Sequence, residues 1–291
     1  MKEILLIAQP QNDYELLDSG DGEKLERFGV VTLRRPDPQA LWHKQLPEKK
    51  WGSVHAVFTK SARGGSWNVV RPLPKPWSIE CSGIQFILKL SSFKHVGIFP
   101  EQAPQWGWLT EQVRIAGRPQ SVLHLFGYTG GATIAAALGG GSVVHVDSSK
   151  VAVGWARENA ALNKLSESPT RWILDDAIAF VRREIKRGKQ YDGIVMDPPS
   201  FGHGPSGELW SIEKHLPELL TECRRLMSPQ FRFFLMSGYA AGYSPLAYAN
   251  LASEFTAGLG GAIEYGELAI AEKLSSRLLP SGIFVRWSAL R

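Results

Sequence analysis

"SVLHLFGYTGGATIAAAL", residues 121–138, holds the transition on which the fold turns. "SVLHLF" is an apolar, strand-like run. Gly127, Gly130 and Gly131 follow, and "ATIAAAL" then takes up a helical composition. Strand, glycine turn and helix open a βα unit. The same succession recurs down the chain. "SVVHVD" (142–147) precedes "SKVAVGWARENAALNKL", "RWIL" precedes "DDAIAFVRREIKRG", "YDGIVMD" precedes "IEKHLPELLTECRRLM", and "FRFFLMS" precedes "PLAYANLASEFTAGL". "AIEYGELAI" and "GIFVRW" then lie close enough to pair as a ribbon. Five βα units and a terminal hairpin predict an open, mostly parallel sheet with helices on both faces.

The first third reads differently. "YELLDSGDGEKLERFGVVTLRRPDP" (14–38) alternates short apolar stretches with turn clusters, and "SVHAVFT" and "WNVVRP" continue the β pattern. The proline-rich "RPLPKPW" (71–77) forms a semi-rigid connector. A small β-rich domain over 1–76 and an α/β domain over 77–291 are expected.

Composition bounds the rest. At 291 residues, 44% hydrophobic and 21% charged, the chain has the make-up of a globular protein. Its net charge of +5 permits a nucleic-acid partner without requiring one. Cys81 and Cys223 offer neither a disulfide framework nor metal-ligand spacing, so no metal is expected. "MKEILLIAQPQND" carries only a short apolar run, Ile4 to Ala8, too brief for a secretory segment, and no stretch suggests a membrane span. The cytoplasm is the expected compartment.

In sheets of this kind the ligand lies beyond the carboxyl ends of the strands. The glycine turn sits there, and Asp147 ends the next strand, twenty residues after Gly127. That spacing suits an acid that reaches ribose hydroxyls. Yet G-x-G-x-x-G is absent, as is the Lys-Ser/Thr pair of a P-loop. An acid for ribose without phosphate-binding chemistry points to an adenosine ligand lacking phosphates, of which S-adenosylmethionine is the obvious one. Asp175–Asp176, at the third strand end, would then face adenine. A strand-to-helix turn alone would explain the glycines, but not acids at successive strand ends.

"VLHLFGYTGGATIAAALGG", "VVHVDSSKVAVGWARENAALNKL", "WILDDAIAFV" and "YDGIVMDPPSFG" together resemble the class I S-adenosylmethionine-dependent methyltransferases. More narrowly, they resemble the bacterial large-subunit ribosomal RNA base methyltransferases. "KHVGIFPEQAPQWGW" (94–108) and "LLPSGIFVRW" (278–287) extend the likeness, which covers roughly 80–291. The resemblance implies a Rossmann-like sheet of seven strands, parallel except for the last. It also implies that Phe126, Gly127, Tyr128 and Gly130 line the methionine end of S-adenosylmethionine. Asp147 would hold the ribose, Asp176 with the Ala177 backbone would read adenine, and Phe99 would close over the site.

"MDPPSFG" (196–202) leaves its strand through an acid and two prolines, which stiffen the backbone and remove two N–H donors. Carbonyl oxygens are thereby expected to be left for a group outside the protein. Methyl transfer is an in-line displacement that needs a nucleophile held about 3–3.5 Å from the methyl carbon. An amino group on a base is a weak nucleophile, and Asp197 with the carbonyl before Pro198 would accept its N–H bonds. Pro198 and Pro199 would fix that geometry, and Phe201 would stack an extruded base. Cytosine-C5 relatives need a catalytic cysteine. The matching "FLMSGYAAG" has Met236 and Ser237 instead, and both cysteines read as buried small residues.

"LRRPDPQALWHK" and "PEKKWG" interleave cations with Trp42 and Trp51, as an RNA contact would. "RREIKRGK" (182–189) reads as a solvated helix face, and His203 sits in a glycine-rich loop over the site. The expected function is methylation of a nucleobase in RNA, ribosomal RNA by resemblance. A small-molecule or protein methyltransferase, and a silent RNA-binding module that keeps the adenosine site, stay open.

Overall fold

The computed structural model describes residues 1–61, 64–239 and 242–289. Its first elements are β1 (Lys2–Ala8), β2 (Tyr14–Gly20), β3 (Glu23–Phe28), β4 (Val31–Pro36), α1 (Glu48–Gly52), β5 (Ala56–Ser61), β6 (Gly64–Val69), β7 (Ser78–Cys81) and β8 (Ile84–Ile87). Then follow α2 (Ala103–Arg114), β9 (Ser121–Leu125), α3 (Gly131–Leu138), β10 (Ser142–Asp147), α4 (Lys150–Leu162), β11 (Thr170–Leu174), α5 (Ala177–Lys186) and β12 (Gly193–Met196). The rest are β13 (Phe201–His203), β14 (Leu209–Ser211), α6 (Ile212–Arg224), β15 (Phe233–Gly238), α7 (Pro245–Phe255), β16 (Ala262–Ala271) and β17 (Leu278–Ser288).

The chain packs as two units. One comprises Met1–Leu6, Gln105–Glu267 and the chain from Gly282 on; the other comprises Ile7–Pro104 and Leu268–Ser281. The packing therefore divides after Pro104, where the sequence alone places its boundary at 76/77.

The large sheet runs β1-β16-β17-β15-β12-β9-β10-β11. β15, β12, β9, β10 and β11 are mutually parallel, and β17 is antiparallel to β15. Every residue of β12 and of β15 is buried, as strands covered on both faces require. Phe180 and Val181 of α5 and Leu219 of α6 share their core with Leu123, Ile194 and Phe234. The expected seven strands are present, with the last antiparallel, but the sheet has an eighth. Lys2–Ala8, of which Ile4 to Ala8 reads from sequence as a mere apolar run, is an edge strand beside β16. Gly266 admits it: a Cβ there would lie 1.8 Å from the Ile4 carbonyl oxygen. Such long-range pairing leaves no mark in local sequence.

Register explains why distant residues meet. Leu125 pairs with both Val146 and Met196, Met196 pairs with Met236, and Asp147 pairs with Leu174. Phe126, Asp147, Asp197 and Ser237 therefore stand in one row at the carboxyl ends, in lateral steps of about 4.8 Å. The strand order reverses between β9 and β12, so the crevice opens there.

The second unit holds a five-stranded sheet, β2-β3-β4-β5-β6, and a β7–β8 ribbon. Its strand pairs are antiparallel except β4–β5. Leu25, Trp51 and Val54 form a core cluster in it. Among the described residues no helix is long and apolar enough to cross a membrane, and no group of His, Cys, Asp and Glu could hold a metal ion.

Candidate active site

The glycine turn joins β9 to α3 through three residues with positive φ: Phe126 at 56°, Tyr128 at 47° and Gly130 at 88°. Two of these are bulky side chains in a region that disfavours them, a conformation that surrounding contacts must hold. The Gly127 N–H donates to the Val146 carbonyl at 3.0 Å, and the Gly130 N–H to the Gly127 carbonyl at 3.0 Å. Gly127 lies flat on an imidazole: a Cβ there would fall 2.4 Å from the His145 ring. Beneath the turn, Thr133 Oγ1 bridges His124 Nδ1 at 2.7 Å and His145 Nδ1 at 2.9 Å. Burial pushes His124 down to about 4 and drives His145 well below its ordinary value, so both rings support the turn as neutral groups.

Asp147 Oδ2 accepts from the Tyr128 N–H and Oδ1 from the Ser149 N–H, each at 2.8 Å. Burial raises its carboxyl above the usual value, while these two bonds pull the other way. One step outward, Asp175 is committed to Arg183. Asp176 caps α5, accepting the Ala179 N–H at 2.8 Å. Phe126, Asp147, Asp176, Ala177 and Pro199 line one cleft, joined there by Ser148, Asp175, His203 and Trp210. Its lining carries three carboxylates and no lysine or arginine. That set of acceptors disfavours phosphate and suits a ligand that brings hydroxyl and amino donors.

The Asp-Pro-Pro turn is partly committed to the protein. The Pro199 carbonyl accepts from Trp210 Nε1 at 2.6 Å, and the Ser200 carbonyl from the Ile212 N–H at 3.0 Å. The expectation that the turn's carbonyls serve only an outside group is corrected for these two. Asp197 lies close enough to Tyr248 that, after burial, its charge helps to raise that phenol. The supposed loop "FGHGPSG" begins as an antiparallel ribbon, with Phe201 opposite Ser211 and His203 opposite Leu209. Phe201 stands 75% exposed on it. Gly127, Tyr128 and Gly130 shape the turn beside the cleft. Phe99 belongs to the second unit, where its ring centroid lies 4.9 Å from that of His95. Trp210, buried and 4.8 Å from the Phe126 ring, was not foreseen. A single tryptophan before a helix carries no local signal of such a role.

The model of a family of S-adenosylmethionine-dependent methyltransferases matches residues 52–230. The chain belongs to that family. The methyltransferase is 32% identical over 151 residues to a ribosomal RNA large subunit methyltransferase K/L from Alteromonas mediterranea, across 51% of this chain and 20% of that one. A protein of the same name from Hahella chejuensis matches at 32% over 195 residues, covering 66% and 24%. The chain thus spans only about a fifth to a quarter of these curated relatives. A crystal structure of an S-adenosylmethionine-dependent methyltransferase from Agrobacterium tumefaciens aligns with a TM-score of 0.94 and 40% identity, over 99% of this chain and 95% of that one.

Both cysteines of the methyltransferase are free and buried. Burial pushes the Cys81 thiol up to about 12 and that of Cys223 well above its usual value, so neither supplies a thiolate. The cationic run expected to meet RNA is largely spent within its own unit. Arg34 grips Glu23 with two bonds, at 2.8 and 2.7 Å, and Lys44 joins the same carboxylate at 2.6 Å. Arg35 is buried against Glu26 at 2.7 Å. Trp51, proposed from sequence as a substrate contact, is fully buried and donates Nε1 to Asp18 at 3.0 Å. Trp42 gives its indole N–H to the Ser19 carbonyl at 2.9 Å. In "RREIKRGK", Arg182, Arg183 and Arg187 pair with Glu218, Asp175 and Glu184, which makes it an ion-paired helix face.

Proposed function

We propose that this methyltransferase modifies a nitrogen of a nucleobase in RNA, with ribosomal RNA as the source. The observation that carries the reading is the shared row of Phe126, Asp147 and Asp197, which brings an acceptor-bearing rigid turn beside the acid-lined cleft. The name of the curated relatives supports the choice of RNA.

S-adenosylmethionine, when bound, supplies an electrophilic methyl group on a sulfonium. The chain's own residues do the rest. Asp147, already aimed by two main-chain N–H groups, accepts ribose hydroxyls on its remaining lone pairs. Asp176, whose other carboxylate oxygen is not the one that caps the helix, and the N–H of Ala177 in the first helical turn read adenine. Phe126, Gly127, Tyr128 and Gly130 shape the methionine end. Asp197 accepts N–H bonds from the acceptor amino group, localising its lone pair and favouring the charge that develops on nitrogen. Pro198 and Pro199 keep that acceptor from swinging away. Phe201 offers an exposed ring for stacking the base.

The β-rich first third is proposed to dock the RNA. With Arg34, Arg35 and Lys44 spent, the exposed Lys49, Lys50, Lys60 and Arg71 are among the phosphate contacts it offers. The cytoplasm is the proposed compartment. Mass mapping of nucleosides in ribosomal RNA from a strain lacking the protein tests the reading. One methylated nucleoside should be missing, and the purified chain should restore it on that RNA with labelled cofactor. Unchanged nucleosides together with no transfer to that RNA would overturn it.

A further inference from the structure

We infer that Trp210 is a positioning residue for methyl transfer, a single side chain that spans the switch point of the sheet and sets the Asp-Pro-Pro turn against the glycine turn. This rests on the cofactor reading of the cleft. Trp210 is 6% exposed. Its indole N–H donates to the Pro199 carbonyl at 2.6 Å, and its ring centroid lies 4.8 Å from that of Phe126. Pro199 follows β12 and Phe126 follows β9, neighbouring strands between which the sheet order reverses. Trp210 therefore touches both loops that open the crevice, and it also lines the cleft between them.

Its own seat is rigid. Trp210 pairs with Gly202 in the β13–β14 ribbon, the Ile212 N–H ties the end of that ribbon to the Ser200 carbonyl at 3.0 Å, and His215 packs on its ring at 5.7 Å. Proline locks φ, so fixing the Pro199 carbonyl leaves few torsions through which Asp197 could move. The indole bond acts on the acceptor side of the reaction, and the ring acts on the cofactor side. A tryptophan that merely filled the core would not separate these two effects.

Two variants separate them. Trp210→Phe keeps a ring against Phe126 but deletes the N–H; Trp210→Ala removes both. Calorimetry with S-adenosylhomocysteine reads the cofactor side. Single-turnover transfer at saturating cofactor, on ribosomal RNA from a strain lacking the protein, reads the other. Trp210→Phe should hold its affinity within about threefold of the parent while its rate falls about tenfold or more, and Trp210→Ala should also lose about tenfold in affinity. Restoration of affinity by phenylalanine without restoration of rate is the signature. Parental rate in Trp210→Phe, or parental affinity in folded Trp210→Ala, would overturn the inference. If the parent transfers no methyl group to RNA, the substrate reading fails, and parental affinity in folded Trp210→Ala would still overturn the inference. Unchanged affinity in Asp147→Ala would instead refute the cofactor reading of the cleft.

Discussion

Asp147 and Glu26 are both carboxylates withdrawn from water, and they are held by opposite means. Glu26, in the second unit, accepts from the Tyr14 hydroxyl at 2.9 Å and from Arg35 Nε at 2.7 Å. Burial would raise its pKa, but Arg35 and Lys24 overcome that and hold it low. Among the described residues Asp147 receives main-chain N–H groups and no side-chain cation, and its pKa is raised. A carboxylate answered by a guanidinium is finished by the protein. One that is only oriented by the backbone keeps acceptor capacity and an unneutralised charge for a ligand. The comparison sorts two kinds of acid: Glu26 is structural, whereas Asp147 and Asp176 face a cleft.

Removing one partner of the finished pair should have the largest effect. Glu26→Gln leaves Arg35 buried without its counter-charge and should cost about 3–5 kcal/mol in chemical denaturation. Parental stability would erase the contrast. Asp197→Ala should lower single-turnover transfer about 100-fold, or about 2.7 kcal/mol, while changing the KM for RNA far less. A folded variant at the parental rate would reduce the Asp-Pro-Pro turn to a strand exit.

Asp147→Ala sharpens the contrast from the other side. Loss of ribose hydrogen bonds should weaken S-adenosylhomocysteine binding by about 1–3 kcal/mol in calorimetry. Stability should suffer little at neutral pH. A raised carboxyl pKa means that its contribution is present below the unfolded value and is lost as pH rises through the folded one, so the ionised group is not a stabiliser there. Unchanged affinity would sink the ribose assignment.

What could be read in advance follows the same division. Strand ends carry their chemistry locally, because a glycine turn or an acid stands next to the apolar run that positions it. The place of Gly127, Asp147, Asp176 and Asp197 at the strand ends is therefore legible at once. Pairings across the chain were not. β1 joins the sheet beside residues more than 250 positions away, and the charges of "LRRPDP" are matched by Glu23 and Glu26 on a neighbouring strand. Trp51 read as an RNA contact because its surroundings in sequence are basic, yet its indole is enclosed and bonded to Asp18. Trp210 was invisible for the opposite reason: its importance lies wholly in the Pro199 carbonyl and the Phe126 ring that it meets.

The smallest expected effect concerns a third kind of acid. Glu101 is buried in the second unit, and burial pushes its carboxyl up to about 7; Lys24 opposes this and Glu26 adds to it. Unlike Glu26, it prefers its proton. Folding therefore raises its proton affinity above that of the unfolded chain. Its contribution is complete below the unfolded carboxyl range and declines as pH rises through about 7. Between about pH 6 and pH 8 the loss should be about 1.4 kcal/mol for one such group. Relative to Glu101→Gln, which keeps the shape without the titration, the wild-type chain should thus lose this much stability to urea over that interval, set against the gain that the buried, neutral His95, His124 and His145 give both chains. Asp147→Ala, removing an acid outside that unit, should leave the slope in place. An identical slope in Glu101→Gln and the parent would show that Glu101 is ionised throughout, matched by Lys24 and Arg35 as Glu26 is.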